Sequence, residues 1–237
     1  MIPSCPSANA ATATGIGYQI CESFAKAGIA RIVIIQRRES VLAAAKEKLE
    51  KAYPDIKVDT YVASQSDLPR MSEVIKSVGE IDVLVACATY SADVSFKPAK
   101  DSSVEDFAEM YTVNVAGLFH LVCEFLALPS TATGGPKSVI HVSSVASQMY
   151  QPGAVGYCSS KAAANQVITH FAFDNPEGNV KFFNIHPGAV HSQMVKDNGL
   201  SDLAVWEDGK LQLLCVNQYS CGPLLTKRSS RETAWRL

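Results

Sequence analysis

The chain has 237 residues, with 21 basic and 23 acidic side chains, a formal net charge of −2, and 47% hydrophobic against 19% charged residues. That balance belongs to a globular protein and excludes the disordered, fibrous and coiled-coil classes, while the near-neutral charge argues against a nucleic-acid or anionic-membrane partner. The length suits one α/β domain, and no Pro/Gly/Ser-rich linker divides it.

At the N-terminus Pro3, Ser4, Pro6, Ser7 and Asn9 interrupt any apolar stretch, so no signal peptide is expected. No uninterrupted apolar run reaches the length of a membrane span. The seven cysteines (Cys5, Cys21, Cys87, Cys123, Cys158, Cys215 and Cys221) are scattered, without the spacing of a zinc site or a redox pair. The expectation is a cytoplasmic protein without a metal, its thiols reduced and packed as small hydrophobes.

Taken in chain order, the first ten residues hold two prolines and almost no β-branched apolar side chain, so the opening strand is expected to be degraded or missing. Strand-like runs follow at 31–35 (RIVII), 58–63 (VDTYVA), 81–86 (IDVLVA), 138–142 (SVIHV) and 180–185 (VKFFNI). Between them, segments 20–27, 39–52, 68–77, 104–126 and 157–173 have helical length and are largely amphipathic. The alternation predicts an α/β fold of three layers, a parallel sheet with helices on both faces. Ligands of such sheets bind at the carboxyl ends of the strands. The domain is assigned to 1–206. Beyond it, 207–237 reads as a divergent tail with one candidate strand at 211–216 and disorder expected for the rest. Both irregular stretches lie at the ends, where a misplaced exon boundary would fall, and a native mass above 25.4 kDa would reveal one.

Three groups of residues carry chemistry. Thr14-Gly15-Ile16-Gly17 stands directly before a helical pattern, where glycines let the backbone approach a pyrophosphate and the helix N-terminus offers it unpaired N–H groups. The same residues serve equally as a plain tight turn. After the next strand come Gln36-Arg37-Arg38, where an NAD-binding chain would place an acid for the ribose 2′-hydroxyl; two arginines suit a 2′-phosphate, or form a solvated pair at a helix start. The third group is Ser144, Tyr157 and Lys161. Tyr and Lys four apart share a helix face, so the ammonium can lower the phenol pKa, and Ser144, just after a strand, can hold a carbonyl or alcohol oxygen.

On Ala11-x-x-x-Gly15-Ile16-Gly17, Asn114 within Val113-Asn114-Val115-Ala116-Gly117, Ser143-Ser144, Tyr157-Cys158-Ser159-Ser160-Lys161 and Pro187-Gly188 through Ser192, the chain resembles the classical short-chain dehydrogenase/reductase family over about residues 11–206. The resemblance implies a Rossmann-like fold. It makes Tyr157 the general acid/base and Lys161 the group that lowers its pKa and holds the nicotinamide ribose. Ser144 would orient the substrate oxygen, and Asn114 would maintain a water-linked proton relay in a kinked helix. Gly15, Ile16, Gly17, Arg37, Arg38, Val190 and Ser192 would complete the cofactor contacts, and Met149, Tyr150 and Gln151 occupy a segment that commonly touches substrate. Family members usually form dimers or tetramers through the helices that here cover 104–126 and 157–173.

The departures fall on the cofactor half. The first glycine of the family turn is Ala11, the asparagine-rich motif reads Ala86-Cys87-Ala88-Thr89, and the acid that contacts adenine falls near Ser64. The family's last strand is not recognisable after Trp206. His141 and His186 are expected to be packed or backbone-bonded, and Met194, Asn198, Leu200 and Leu203 suggest a mixed or moderately apolar pocket. The sequence therefore predicts an NADP(H)-dependent oxidoreductase acting on a small carbonyl or alcohol. The alternative is a catalytically weakened member that serves as a binding or assembly partner or is reused for non-redox biosynthetic chemistry.

Overall fold

Apolar runs without polar alternation have no face to give to water, and here they become the middle layer of a covered sheet. In the computed structural model, which describes residues 8–10, 15–92, 98–129, 136–188, 190 and 214–219, the strands are β1 (Ala8–Ala10), β2 (Arg31–Gln36), β3 (Lys57–Val62), β4 (Val83–Ala86), β5 (Lys137–Val142), β6 (Val180–His186) and β7 (Leu214–Tyr219). The helices are α1 (Ile16–Lys26), α2 (Glu39–Ala52), α3 (Leu68–Val78), α4 (Val104–Tyr111), α5 (Leu118–Ala127) and α6 (Val155–Phe173). The sheet order is β3-β2-β1-β4-β5-β6-β7. β1 to β6 pair in parallel, and the order reverses between β1 and β4, which opens a crevice at the carboxyl ends of those strands.

Successive residues of each strand feed opposite faces. Ile32, Ile34, Val58, Val83 and Val85 meet Ile20, Cys21 and Ala25 of α1 and Leu42, Ala45 and Leu49 of α2. On the other face Val33, Ile35, Leu84, Val139 and Phe182 meet α3 (Met71, Val74, Ile75), α5 (Leu118, Leu121, Val122, Phe125) and α6 (Ala164, Ile168, Ala172). The three-layer Rossmann-like arrangement expected from the alternation is the observed one.

Both ends bear on the sequence reading. The opening strand is degraded, as expected, but not missing: β1 has three residues, and each pairs on one side with β2 and on the other with β4. A central parallel strand is held by backbone ladder bonds, so Ala8-Asn9-Ala10 can form it without β-branched side chains. The tail assigned to 207–237 contributes a strand to the same sheet. β7 lies three residues beyond the candidate 211–216 and pairs antiparallel with β6, with a register shift at Asn184/Ile185.

The segment read as one helix over 104–126 is α4 and α5 joined by a π-helical turn at Thr112–Gly117. Together Val104–Ala127 are long and apolar enough to cross a membrane by length and composition, but Leu118, Leu121, Val122 and Phe125 are buried in the core. Gly117 fits this turn because a Cβ there would lie 2.4 Å from the Gln65 carbonyl oxygen and 2.8 Å from Gln65 Cγ. A Gly117→Ala substitution must push a backbone carbonyl aside. It is expected to cost about 2–3 kcal/mol, the scale of overpacking a core, read as a lowered denaturant midpoint; an unchanged midpoint would show that the turn yields freely.

Candidate active site

Ser144 lies two residues past the end of β5 and caps a short 3-10 turn, Val145–Ser147, its Oγ accepting the Ala146 N–H at 3.2 Å. Tyr157 lies in the first turn of α6, with the Ser144 side chain near enough to its phenol to draw the phenol pKa downward. One turn on, Lys161 is 2% exposed and its Nζ donates to the Val142 carbonyl at 2.8 Å. The α6 face that carries Tyr157 and Lys161 is thus seated on the end of β5 that carries Val142 and Ser144.

Burial dominates the electrostatics. It pushes the Tyr157 phenol above its ordinary value, and the Ser144 side chain opposes that while Cys158 and Cys87 add to it. The phenol pKa is raised, not lowered as expected from a neighbouring ammonium, because loss of water costs the phenolate more than the nearby Ser144 side chain returns. Burial also brings Lys161 down to about 8, against a partly compensating Cys87. His141, 3% exposed, is brought down to about 3 by burial and then by the Lys161 charge, although its Nδ1 lies 2.9 Å from Asn184 Oδ1. The Cys21 thiol is pushed up to about 12 by burial, which keeps it an unreactive packing group.

Asn114 sits within the π-helical turn, 3% exposed, and every polar atom of its carboxamide is engaged. Its Oδ1 accepts from the Tyr90 N–H at 2.7 Å and from Thr89 Oγ1 at 3.1 Å; its Nδ2 donates to the Tyr90 carbonyl at 2.8 Å and to Ser160 Oγ at 3.0 Å. Thr89, counted in the sequence as a departure, is a direct partner of Asn114. The turn is braced from outside by Gln65, whose Nε2 donates to the Val113 carbonyl at 2.8 Å. A π-turn leaves carbonyls out of the regular helical ladder, and Gln65 satisfies one of them. On the α6 side, Met110 fills the space a Cβ on Gly156 would need, its Cε 2.3 Å from that position.

At the other end of the crevice Gly15 caps α1 at φ 58°, a left-handed backbone conformation that favours glycine, and Gly17 is buried in the helix's first turn. Ile16 is partly buried against the core. Arg37 and Arg38 are exposed just past β2. Among the described residues neither guanidinium has an ion-pair partner. Ser64, at the place of the missing acid, bonds Ser66 Oγ at 2.9 Å. Val190 is buried, while Ala11 and Ser192 lie outside the described residues.

The structure therefore gathers Asn114, Ser144, Tyr157 and Lys161 around the ends of β4 and β5 and leaves Arg37 and Arg38 at the end of β2. Sequence reasoning missed Gln65, Ser147, Ser160 and Asn165. The signal for the last two was present: Ser160 and Asn165 flank Lys161 on a helix whose other inward positions, such as Ala164 and Ile168, are small or apolar.

Parallel strands with helical crossovers, a glycine at the first helix and a Ser/Tyr/Lys set at the crevice define a dinucleotide-dependent oxidoreductase fold. The model of the short chain dehydrogenase family matches residues 10–202, and the chain belongs to that family. It is 42% identical over 195 residues to the short chain dehydrogenase/reductase AacuD of Aspergillus aculeatus, covering 82% of this chain and 67% of that protein. It is 37% identical over 202 residues to the short chain dehydrogenase/reductase nsrO of Aspergillus novofumigatus, covering 83% and 68%. The chain thus spans about two thirds of the length of these relatives. Among solved structures it is similar to an alcohol dehydrogenase of the archaeon Thermococcus sibiricus complexed with 5-hydroxy-NADP, with a TM-score of 0.70, 29% identity, and coverage of 79% of this chain and 77% of that one.

Proposed function

We propose that the chain is an NADP(H)-dependent oxidoreductase that transfers a hydride between the nicotinamide and the carbon of a carbonyl or secondary alcohol in a small organic substrate. The observation that carries this reading is the meeting of Ser144, just past β5, with Tyr157 in the first turn of α6, and Lys161 buried one helical turn on and bonded to the Val142 carbonyl. The residues fit the dinucleotide. Gly15 opens α1 in a conformation that lets the backbone approach a pyrophosphate, and two exposed guanidiniums past β2 suit a 2′-phosphate. Bound there, the cofactor supplies or accepts the hydride.

The chain's own groups manage the proton. In the reductive direction Tyr157 Oη gives its proton to the substrate oxygen held by Ser144 Oγ, and in the oxidative direction it takes that proton back. The Lys161 ammonium offsets the charge left on the phenolate. Asn114, bound to the loop after β4 and to Ser160, keeps the helix beneath the phenol in place. Exposed Phe119 and Phe173 on α5 and α6 support assembly of like subunits through those helices.

The test is ligand-induced thermal shift with NADP and with NAD, followed by turnover on a panel of ketones and secondary alcohols. NADP is expected to stabilise the protein more than NAD. An Arg37→Ala/Arg38→Ala variant is expected to lose about 10–100-fold in NADPH affinity, the scale of one or two charge-assisted bonds, with NADH affinity unchanged. Equal shifts with the two dinucleotides would overturn the NADP assignment. A folded protein that responds to neither and turns nothing over would favour the binding or assembly role.

A further inference from the structure

Ser144 stands at the junction of a strand and a helix, and its distance from Tyr157 depends on how closely the two are held. Asn165, one turn beyond Lys161 on α6, reaches across that junction. Its Oδ1 accepts from Ser143 Oγ at 2.7 Å, and its Nδ2 donates to Ser147 Oγ at 2.9 Å. Ser147 Oγ in turn donates to the Ser144 carbonyl at 2.7 Å. The Asn165 backbone carbonyl accepts from Asn184 Nδ2 at 3.4 Å, and Asn184 is the residue that bonds His141.

We propose that Asn165 is a positioning residue for proton transfer, its single carboxamide clamping the residues on both sides of Ser144 to the helix that carries Tyr157 and Lys161. The inference rests on the reading of Ser144, Tyr157 and Lys161 as the reaction centre. The clamp needs a donor and an acceptor on one planar group, and among the side chains that fit the space only Asn has both. Aspartate would keep the bond from Ser143 and offer Ser147 no donor. If Ser147 turned its hydroxyl proton toward that carboxylate, it would release the Ser144 carbonyl. By either route the Ser147 side of the clamp opens while the volume is unchanged.

The experiment uses the full chain, with Asn165→Asp, Ser147→Ala and the double variant assayed on the best substrate of the ketone and alcohol panel. Each single variant is expected to lose about tenfold in kcat with KM for NADP(H) within about twofold, since loosening a reactive geometry by a fraction of an ångström costs rate rather than cofactor binding. The double variant is expected to be no slower than the slower single, because both substitutions break one link. In alcohol oxidation the limb of the pH profile that reports Tyr157 ionisation is expected to move to higher pH, because the Ser144 side chain that the clamp keeps near the phenol draws its pKa downward. Two active single variants with wild-type kcat and pH limb, or losses that multiply in the double, would overturn the clamp. If Asn165→Asp does not fold, Ser147→Ala decides alone, its side chain being only partly buried. A wild type without turnover or dinucleotide binding overturns the reaction-centre reading instead, an outcome separate from the clamp's failure.

Discussion

A Tyr157→Phe variant is expected to retain the fold and its dinucleotide affinity and to lose about a thousandfold in kcat, within the range that a positioned general acid or base contributes. The substitution removes one oxygen and leaves the ring, so the packing of α6 against β5 survives. Ser144 Oγ still caps the 3-10 turn through the Ala146 N–H. Lys161 keeps its bond to the Val142 carbonyl. The nearest titratable side chains do not take over the proton: His141 is buried and neutral, and the ammonium of Lys161 is bonded to the Val142 carbonyl. The measurement is single-turnover and steady-state rate on a ketone, with thermal shift by NADP as the control for binding. A variant within tenfold of wild type would remove Tyr157 from the chemistry.

The second large effect is on stability. The folded protein holds His141 near pKa 3, whereas its ordinary value is 6.5. The native state therefore binds fewer protons than the unfolded chain between those values, so the contribution is intact above pH 6.5 and is lost as pH falls toward 3. The shift of 6.5 − 3 = 3.5 corresponds to about 5 kcal/mol at most. Lys161 acts at the opposite end: with its pKa drawn from 10.5 to about 8, the cost of burying its charge is present below pH 8 and is relieved as pH rises toward 10.5. Urea midpoints of the wild type are expected to fall steeply from pH 6.5 to pH 4, and those of a His141→Asn variant, whose carboxamide can keep the bond to Asn184, to fall less. Parallel curves for the two proteins would show that His141 is not the group being titrated.

Much of this was legible in the sequence. α2 occupies the predicted 39–52, and β2 to β6 lie within about two residues of their apolar runs, because buried parallel strands announce themselves by composition. Ser144, Tyr157 and Lys161 were legible because a strand end and a four-residue helical spacing fix where their side chains meet. The π-helical turn was not, since hydrophobic periodicity registers which positions are apolar and not how each carbonyl is satisfied. β1 was legible as a degraded strand, and it persists because a strand fed by backbone bonds on both sides asks little of its side chains. Gln65 and Thr89 escaped for a different reason. Each meets a partner 48 and 25 residues away, Val113 and Asn114, and no local pattern marks a polar residue whose use lies so far along the chain.

The carboxamide of Asn114 grips both the N–H and the C=O of Tyr90 while holding Ser160. The loop after β4 and the helix bearing Tyr157 are therefore riveted through one planar group. The Tyr90 amide proton, protected by a side chain instead of a strand or a helix, is a built-in gauge of that rivet: its exchange with solvent follows the release of Asn114, whatever the rest of the sheet is doing.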